Sequence, residues 1–380
     1  MLVSTAATIQ LDDLLDRIGV KLQLSETAYK LAENRYKAIA VLLGQAGSSV
    51  AKYRPDIYPQ GSLRIGTTVK LRRRNEFDLD FVCEFQASPE TFPDPIVLLD
   101  FIEEILRGNG VYKDNVERKN RCIRVIYADE FYMDILPACP NPSPGLYGST
   151  CVLVPDCSAQ TWKHSNPKGF ARWYEGRAQE AVVTFRKAIE PLPEHQSYED
   201  LATLNRIVQL MKRHRDIIFE KCPKQAPISI VLTTLAAKTY AGHTSVSEAM
   251  AHVLRGICAL IPNVADGRLQ VLNPTNSGED LSERWDDDPE AYLGFVSWIN
   301  AFAKTWNDLL NVHGIQNAKI VLEKMFGERV ARTAVEEHIK AFEAPRQSGG
   351  LAVERGSGLI VPAATASATA ISRNTFYGDQ

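Results

Sequence analysis

The sequence predicts an α+β protein of two lobes, a mixed sheet with flanking helices followed by a helical lobe, with a ligand cleft where the two meet. Three observations predict it. Apolar residues recur at three- and four-residue spacing over 8–45, the period of helices that bury one face. Short apolar β runs dominate from 56 to about 155. From about 170 to 343 the helical period returns. A helix-flanked block of strands followed by a run of helices packs as layers of an α+β fold, and sites tend to lie between lobes.

The elements follow in order. "LDDLLDRIGVKLQL" and "SETAYKLAENRYKAIAVLLGQ" read as helical, with Ser25, Glu26 and Thr27 marking a helix start. The strand runs are "DLDFVCEF", "RCIRVIYA", "EFYMDILPA" and "TCVLVP", interrupted by a helical "PIVLLDFIEEILRG" that closes at Gly108. Later helices are expected over 177–190, 199–221, 227–241, 245–260, 289–311 and 315–343, separated by breaks containing Pro and Gly. After Pro345 the chain is small, polar and aperiodic, and reads as a flexible tail. The expected divisions are 1–165, 166–343 and a tail over 344–380.

Composition narrows the function. At 380 residues, 45% hydrophobic and 23% charged, the chain can bury a sizeable core and reads as globular. A net charge of −3 leaves no overall basic footprint, so nucleotide contact must come from a local patch. The N-terminus lacks a secretory-signal pattern, and no apolar run reaches the ~18 residues of a membrane span, so a cytoplasmic protein with no membrane partner is expected. The seven cysteines are scattered without a CxxC, as in a reducing compartment. Cys139, Cys151, Cys157 and His164 raise a zinc site. The long Pro- and Gly-rich loop between the first two is unlike the close-paired spacing of structural zinc, which favours unpaired thiols.

The chemistry concentrates in "YPQGSLRIGTTVKLRRRNEFDLDFVCEF". Asp78 and Asp80 flank Leu79 on a strand, so both carboxylates share one face with α-carbons ~6.6 Å apart. Two acids on one face repel unless a cation neutralises them. Magnesium, an oxygen-seeking ion held by one or two carboxylates plus substrate phosphates, resolves the conflict. Asp134, in the apolar "EFYMDILPA", is a third acid. If its strand neighbours the first, the three suffice for two ions ~3.5–4 Å apart that clamp an in-line phosphoryl displacement. The other reading of Asp78 and Asp80 is a solvated strand end.

Upstream, "QGSLRIGT" supplies a turn in which Gly61 lets backbone N–H groups approach an anion and Ser62 adds a hydroxyl donor. No GxxxxGK[ST] is present, so this is not a P-loop. "KLRRRN", with Lys70, Arg72, Arg73 and Arg74, fits either acceptor phosphates or an exposed charge run.

The set Gly61-Ser62, Asp78-Leu79-Asp80 and Asp134 resembles the DNA polymerase β-like nucleotidyltransferases. Lys212 in "NRIVQLMKRHRD", Ser229 in "KQAPISIVLTTLAAKTY", and the segments "SNPKGFARWYE" and "VLNPTNSGEDLSERW" narrow it to a likeness with the bacterial cGAS/DncV-like nucleotidyltransferases, the CD-NTases. The likeness covers about residues 10–343. It implies a polymerase β-like lobe joined to a helical lobe, and condensation of ATP, GTP or other NTPs into a cyclic di- or trinucleotide of anti-phage defence.

It also implies a site: Asp78, Asp80 and Asp134 as catalytic acids on two Mg²⁺ ions, with Mn²⁺ able to substitute. Gln60, Gly61, Ser62, Lys212 and Ser229 hold the NTP phosphates. The residues alone leave Lys212 open to being a solvated cation in "KRHR" and Ser229 to being a helix cap. A linear oligonucleotide synthase or RNA-tailing enzyme would use the same site, and a non-catalytic scaffold is the reading from another class. The resemblance implies an effector reached through the product. A partner that conjugates the C-terminus is a further implication, although "NTFYGDQ" ends on Gln where conjugated relatives end on a small residue.

Overall fold

The computed structural model describes residues 6–70, 77–127, 131–143, 150–178, 190–262, 267–347, 351–354, 360–362 and 368–370. Arg72–Arg74, most of the helix expected over 177–190 and the terminal "NTFYGDQ" lie outside the described residues.

Two helices open the chain, α1 (Ala6–Leu22) and α2 (Glu26–Gly44). The Ser25 hydroxyl accepts the Ala28 N–H at 3.2 Å and starts α2 at the residue type the sequence marked. A seven-stranded sheet follows, built from β1 (Asp56–Gln60), β2 (Asp78–Glu84), β3 (Val116–Arg118), β4 (Ile123–Tyr127), β5 (Phe131–Pro140), β6 (Val152–Asp156) and β7 (Thr161–Ser165). Its order is β1-β2-β5-β4-β3, with β6 continuing from the far end of β5 and β7 pairing β6. Only β2 and β5 run parallel, so the sheet is mixed. The short helix α3 (Gly61–Arg64) turns out of β1, and α4 (Val97–Gly108) covers the sheet.

Alternation along β2 sorts its residues. Leu79, Phe81 and Cys83 point into a core shared with Tyr36, Ile39 and Leu43 of α2 and Leu98, Leu99 and Ile102 of α4. Asp78 and Asp80 take the other face. Val82 shares that face further along and packs with Tyr58, Ala138, Val152 and Val154.

The helical part comprises α5 (Pro167–Ala178), α6 (Thr203–Ile218), α7 (Ser229–Thr239), α8 (Val246–Leu260), α9 (Arg284–Asp287), α10 (Pro289–Leu310), α11 (Ile315–Phe326) and α12 (Glu328–Gln347). A small ribbon of β8 (Leu272–Asn273) and β9 (Asn276–Asp280) lies between α8 and α9. The single helix expected over 315–343 is two, because Gly327 at φ +100° breaks it. Helix α1 buries Leu11, Leu14, Leu15, Ile18 and Leu22 in the same core as α6, α8 and α10. It therefore packs with the later helices although it precedes the sheet in sequence.

Part of the tail is regular. Strands β10 (Leu351–Glu354), β11 (Ile360–Pro362) and β12 (Ala368–Ala370) form an antiparallel sheet of order β11-β10-β12, where the sequence reads as featureless chain. Their Ile360, Val361 and Val353 supply the β-branched residues that strands favour, in runs too short to register as periodic.

Candidate active site

Strand register assembles the acids. Asp80 on β2 lies opposite Asp134 on the parallel neighbour β5 and opposite Gln60 on the antiparallel neighbour β1. Gln60, Asp80 and Asp134 thus form one row across three strands, with Asp78 two residues along on the same face.

Gly61 follows Gln60 at φ +66°, in the left-handed region. A Cβ there would lie 2.2 Å from Asp80 Oδ2, so a glycine is needed both for the turn and for the space the carboxylate takes. Ser62 places its hydroxyl 3.1 Å from Thr68 Oγ1, which ties the turn to the segment that follows it.

The second wall comes from α6 and α7. Lys212 is 3% exposed, so the "KRHR" run is no solvated face: Lys212, Arg213 and His214 are all buried. Lys212 Nζ donates to Thr67 O at 2.9 Å and to Thr67 Oγ1 at 3.0 Å. Burial, then the nearby Arg215, pushes its amine down to about 7. Ser229 is the first residue of α7 and makes no capping bond; its hydroxyl accepts from Arg215 Nη1 at 2.9 Å. Gln60, Gly61, Ser62, Asp78, Asp80, Asp134, Lys212 and Ser229 all line one cavity of about 470 Å³.

Two arginines of the site were not singled out from the sequence. Arg124 on β4 sits opposite Asp134 and grips both its oxygens at 2.7 Å, with Asp78 3.8 Å away and the Tyr132 ring beneath its guanidinium. Its signal was alternation: in "RCIRVIYA" the polar position faces the acids. Arg215 lies three residues after Lys212 on α6, the spacing of one helix face.

A third wall joins the two later segments. Asn166, at the start of α5, donates to Thr275 O at 2.9 Å, and Asn276 Nδ2 donates to Ser165 O at 3.2 Å. Glu279 accepts from Asn273 Nδ2 at 2.6 Å and from Ser165 Oγ at 3.0 Å, while burial raises its pKa above the ordinary carboxylate range. Arg121 ties Asp156, at 2.7 Å, to Glu283. "SNPKGFARWYE" and "VLNPTNSGEDLSERW" therefore meet at the same cavity.

The carboxylate row suits a hard cation. Burial, then Asp134 and Asp78, pushes the Asp80 carboxyl up to about 8, with Arg124 and Lys212 acting against the rise. Among the described residues no three His, Cys, Asp or Glu side chains form a ready metal cluster, and here Arg124 occupies Asp134. Cys139, Cys151 and Cys157 are free thiols and His164 Nδ1 lies 3.3 Å from Asn141 Nδ2, so the described structure builds no zinc cage from them.

The Second Messenger Oligonucleotide or Dinucleotide Synthetase domain matches residues 9–177. A c-di-GMP synthase of Roseivirga ehrenbergii is 32% identical over the full length of both chains. The cyclic dinucleotide synthase CdnG of Bradyrhizobium diazoefficiens is 26% identical over 94% of this chain and 90% of its own. The solved structure of that CD-NTase CdnG with GTP overlays at a TM-score of 0.69 and 23% identity, covering 86% of this chain and 98% of the other. The carboxylate row, the glycine turn and the likeness along the whole chain lead to one placement: the protein belongs to the CD-NTases, the nucleotidyltransferases of CBASS-type defence that condense NTPs into cyclic oligonucleotides.

Proposed function

We propose that the cleft joins two molecules of GTP into a cyclic dinucleotide, with Asp78, Asp80 and Asp134 as its catalytic acids. The carrying observation is the row Gln60–Asp80–Asp134 beside the open turn at Gly61, with Lys212 and Ser229 lining the same cavity. The choice of guanine follows the c-di-GMP synthase named among the relatives and the CdnG solved with GTP.

Gln60, Gly61 and Ser62 present hydrogen-bond donors to the triphosphate, in a turn that the φ of +66° at Gly61 shapes. Lys212 supplies a cation at the phosphates, and Arg215 orients the Ser229 hydroxyl toward them. Asp78, Asp80 and Asp134 are the residues to hold two Mg²⁺ ions, or Mn²⁺ in their place, which when bound neutralise charge on the phosphate oxygens. Asp134 takes the proton of the incoming ribose hydroxyl through lone pairs that Arg124 leaves free. That oxygen bonds to the α-phosphorus, the bond from α-phosphorus to the bridging oxygen breaks, and pyrophosphate leaves with the electron pair. A second transfer within the bound linear intermediate closes the ring. A cytoplasmic setting, an effector that reads the product and a protein partner acting on the tail belong to the same proposal.

The test is incubation with each labelled NTP, alone and mixed, with Mg²⁺ or Mn²⁺, followed by phosphatase and mass spectrometry. A phosphatase-resistant product with two guanines, absent from Asp78→Ala/Asp80→Ala, is expected. Another base composition would overturn the guanine assignment, and a phosphatase-sensitive ladder would overturn ring closure.

A further inference from the structure

A second cavity, of about 640 Å³, lies between the end of α1, the chain at Lys70, α6 and the start of α12. It shares no lining residue with the cleft. Four cations line it, Lys21, Lys70, Arg213 and Arg329, against one carboxylate, Glu328, which is paired with Arg332. Lys21 pairs with Glu337 at 2.6 Å, and Arg213 Nε donates to Phe326 O at 3.0 Å. The Lys70 and Arg329 side chains meet no carboxylate among the described residues. Lys70 is half-buried, and burial, then the charge on Lys21, pushes its amine below its ordinary range. Keeping like charges around a concave, partly dry space is unfavourable unless an anion enters it.

The cavity is built rather than incidental. Arg213 is 7% exposed yet lines it, and Gly327, whose φ of +100° ends α11, brings the chain round beside its Nη2. The Lys70 N–H donates to Leu22 O at 2.9 Å, which fixes that backbone to the end of α1.

The cavity also connects to the cleft. Arg213 follows Lys212 on α6, about 100° further round the helix. Lys70 ends the segment whose Thr67 receives Lys212 and whose Thr68 meets Ser62, with Gln209 Nε2 donating to Thr68 O at 3.1 Å. Whatever draws Lys70 and Arg213 bears on the segment that shapes the phosphate cradle.

We propose that this cavity is a second anion site, which takes a compact polyanion bearing phosphate or carboxylate groups and couples it to NTP binding in the cleft. The ligand bridges Lys70 and Arg329 above Arg213. Because coupling is reciprocal, an occupant that alters NTP affinity has its own affinity altered by NTP to the same degree.

Calorimetric titration with inorganic tripolyphosphate, and separately with citrate, tests it. Three proteins are compared: the native chain, Lys212→Met, and Lys70→Gln/Arg329→Gln, each checked for cooperative thermal melting. Tripolyphosphate is expected to fill two sites on the native chain and one on each variant, and citrate, a polycarboxylate, to lose at least about tenfold in affinity on the double variant alone. A Lys212→Met chain that still fills two sites would count against the phosphate cleft and leave the rear site standing. Binding that is unchanged in Lys70→Gln/Arg329→Gln overturns the proposal. So does rear-site binding that leaves NTP affinity unchanged. Binding of a short RNA duplex at this face with none of tripolyphosphate or citrate would overturn the compact ligand in favour of nucleic acid.

Discussion

The carboxylate of Asp80 stands where a side chain on Gly61 would be: a Cβ at that position lies 2.2 Å from Asp80 Oδ2. With φ at +66°, Gly61→Ala meets both a backbone penalty and a clash. The clash is with the end of a side chain, so the carboxylate swings aside and the row across the sheet breaks. We expect a stability loss of about 1–3 kcal/mol and a fall in synthesis of at least about a hundredfold. Chemical denaturation and initial rates would read the two. Full activity in the alanine variant would show that the turn does not position Asp80.

Asp80 gives the site a pH signature. Its folded pKa, about 8, lies above its unfolded value. Protonation therefore favours the native state, and the stability it brings is fully present below about pH 4 and lost as pH rises through 8. In metal-free protein, Asp80→Asn should match the native chain near pH 4 and exceed it by on the order of 5 kcal/mol at pH 8.5. Added Mn²⁺ must displace the proton, so its affinity for the native chain should tighten up to about pH 8 and then level off. Urea melts across pH and manganese titrations measure both.

Lys212 behaves in the opposite sense. Burial brings its pKa to about 7, so near pH 8 much of it is neutral in the free protein. A bound triphosphate favours the charged form. NTP binding without divalent metal at pH 8 should therefore take up close to one proton, seen as a binding enthalpy that changes with the ionisation heat of the buffer. Lys212→Met should abolish the uptake and raise KM by about tenfold to a hundredfold. A buffer-independent enthalpy for the native chain would rule this out.

The outline of the site was legible because it is local and periodic. Asp78 and Asp80 announce themselves by alternation within one strand, and Gly61-Ser62 lies in the turn before it. The pairing of Asp80 with Asp134 depends on β5 joining β2 in parallel across more than fifty intervening residues, which no spacing in the chain reveals. Strand β1 escaped notice because "DIYPQ" is short and contains a proline, a residue that strands tolerate at edges. The buried "KRHR" reverses the usual fate of a charge run. Lys212 reaches Thr67, Arg213 reaches Phe326 O and His214 lies between aromatic rings, all contacts with distant segments.

His214 makes the helical core acid-sensitive. Its ring stacks on Phe302 with centroids 3.9 Å apart and its Nδ1 accepts from Trp298 Nε1 at 3.0 Å, so only the neutral ring fits. Burial lowers its pKa to about 3. The stability this histidine brings is present above its unfolded pKa of about 6.5 and lost as pH falls from there toward 3. Between pH 7 and 5 the native chain should lose about 2 kcal/mol that His214→Gln does not lose. Parallel denaturation curves at the two pH values measure the difference, and equal losses in both proteins would exclude His214 as the source.

Arg124 is the protein's own cation on the carboxylate row. It grips Asp134 through two bonds of 2.7 Å and stands 3.8 Å from Asp78, so it offsets part of the repulsion that Asp80 feels. Arg124→Gln leaves three neighbouring acids without that charge, and the metal-free protein should lose about 3 kcal/mol. A divalent cation then enters a more negative site and should bind about tenfold more tightly, because the competing guanidinium is gone. Synthesis should nonetheless slow, since Asp134 loses the partner that fixes its orientation. Tighter manganese binding with slower turnover separates this role from a purely structural one, in which metal affinity would fall together with stability.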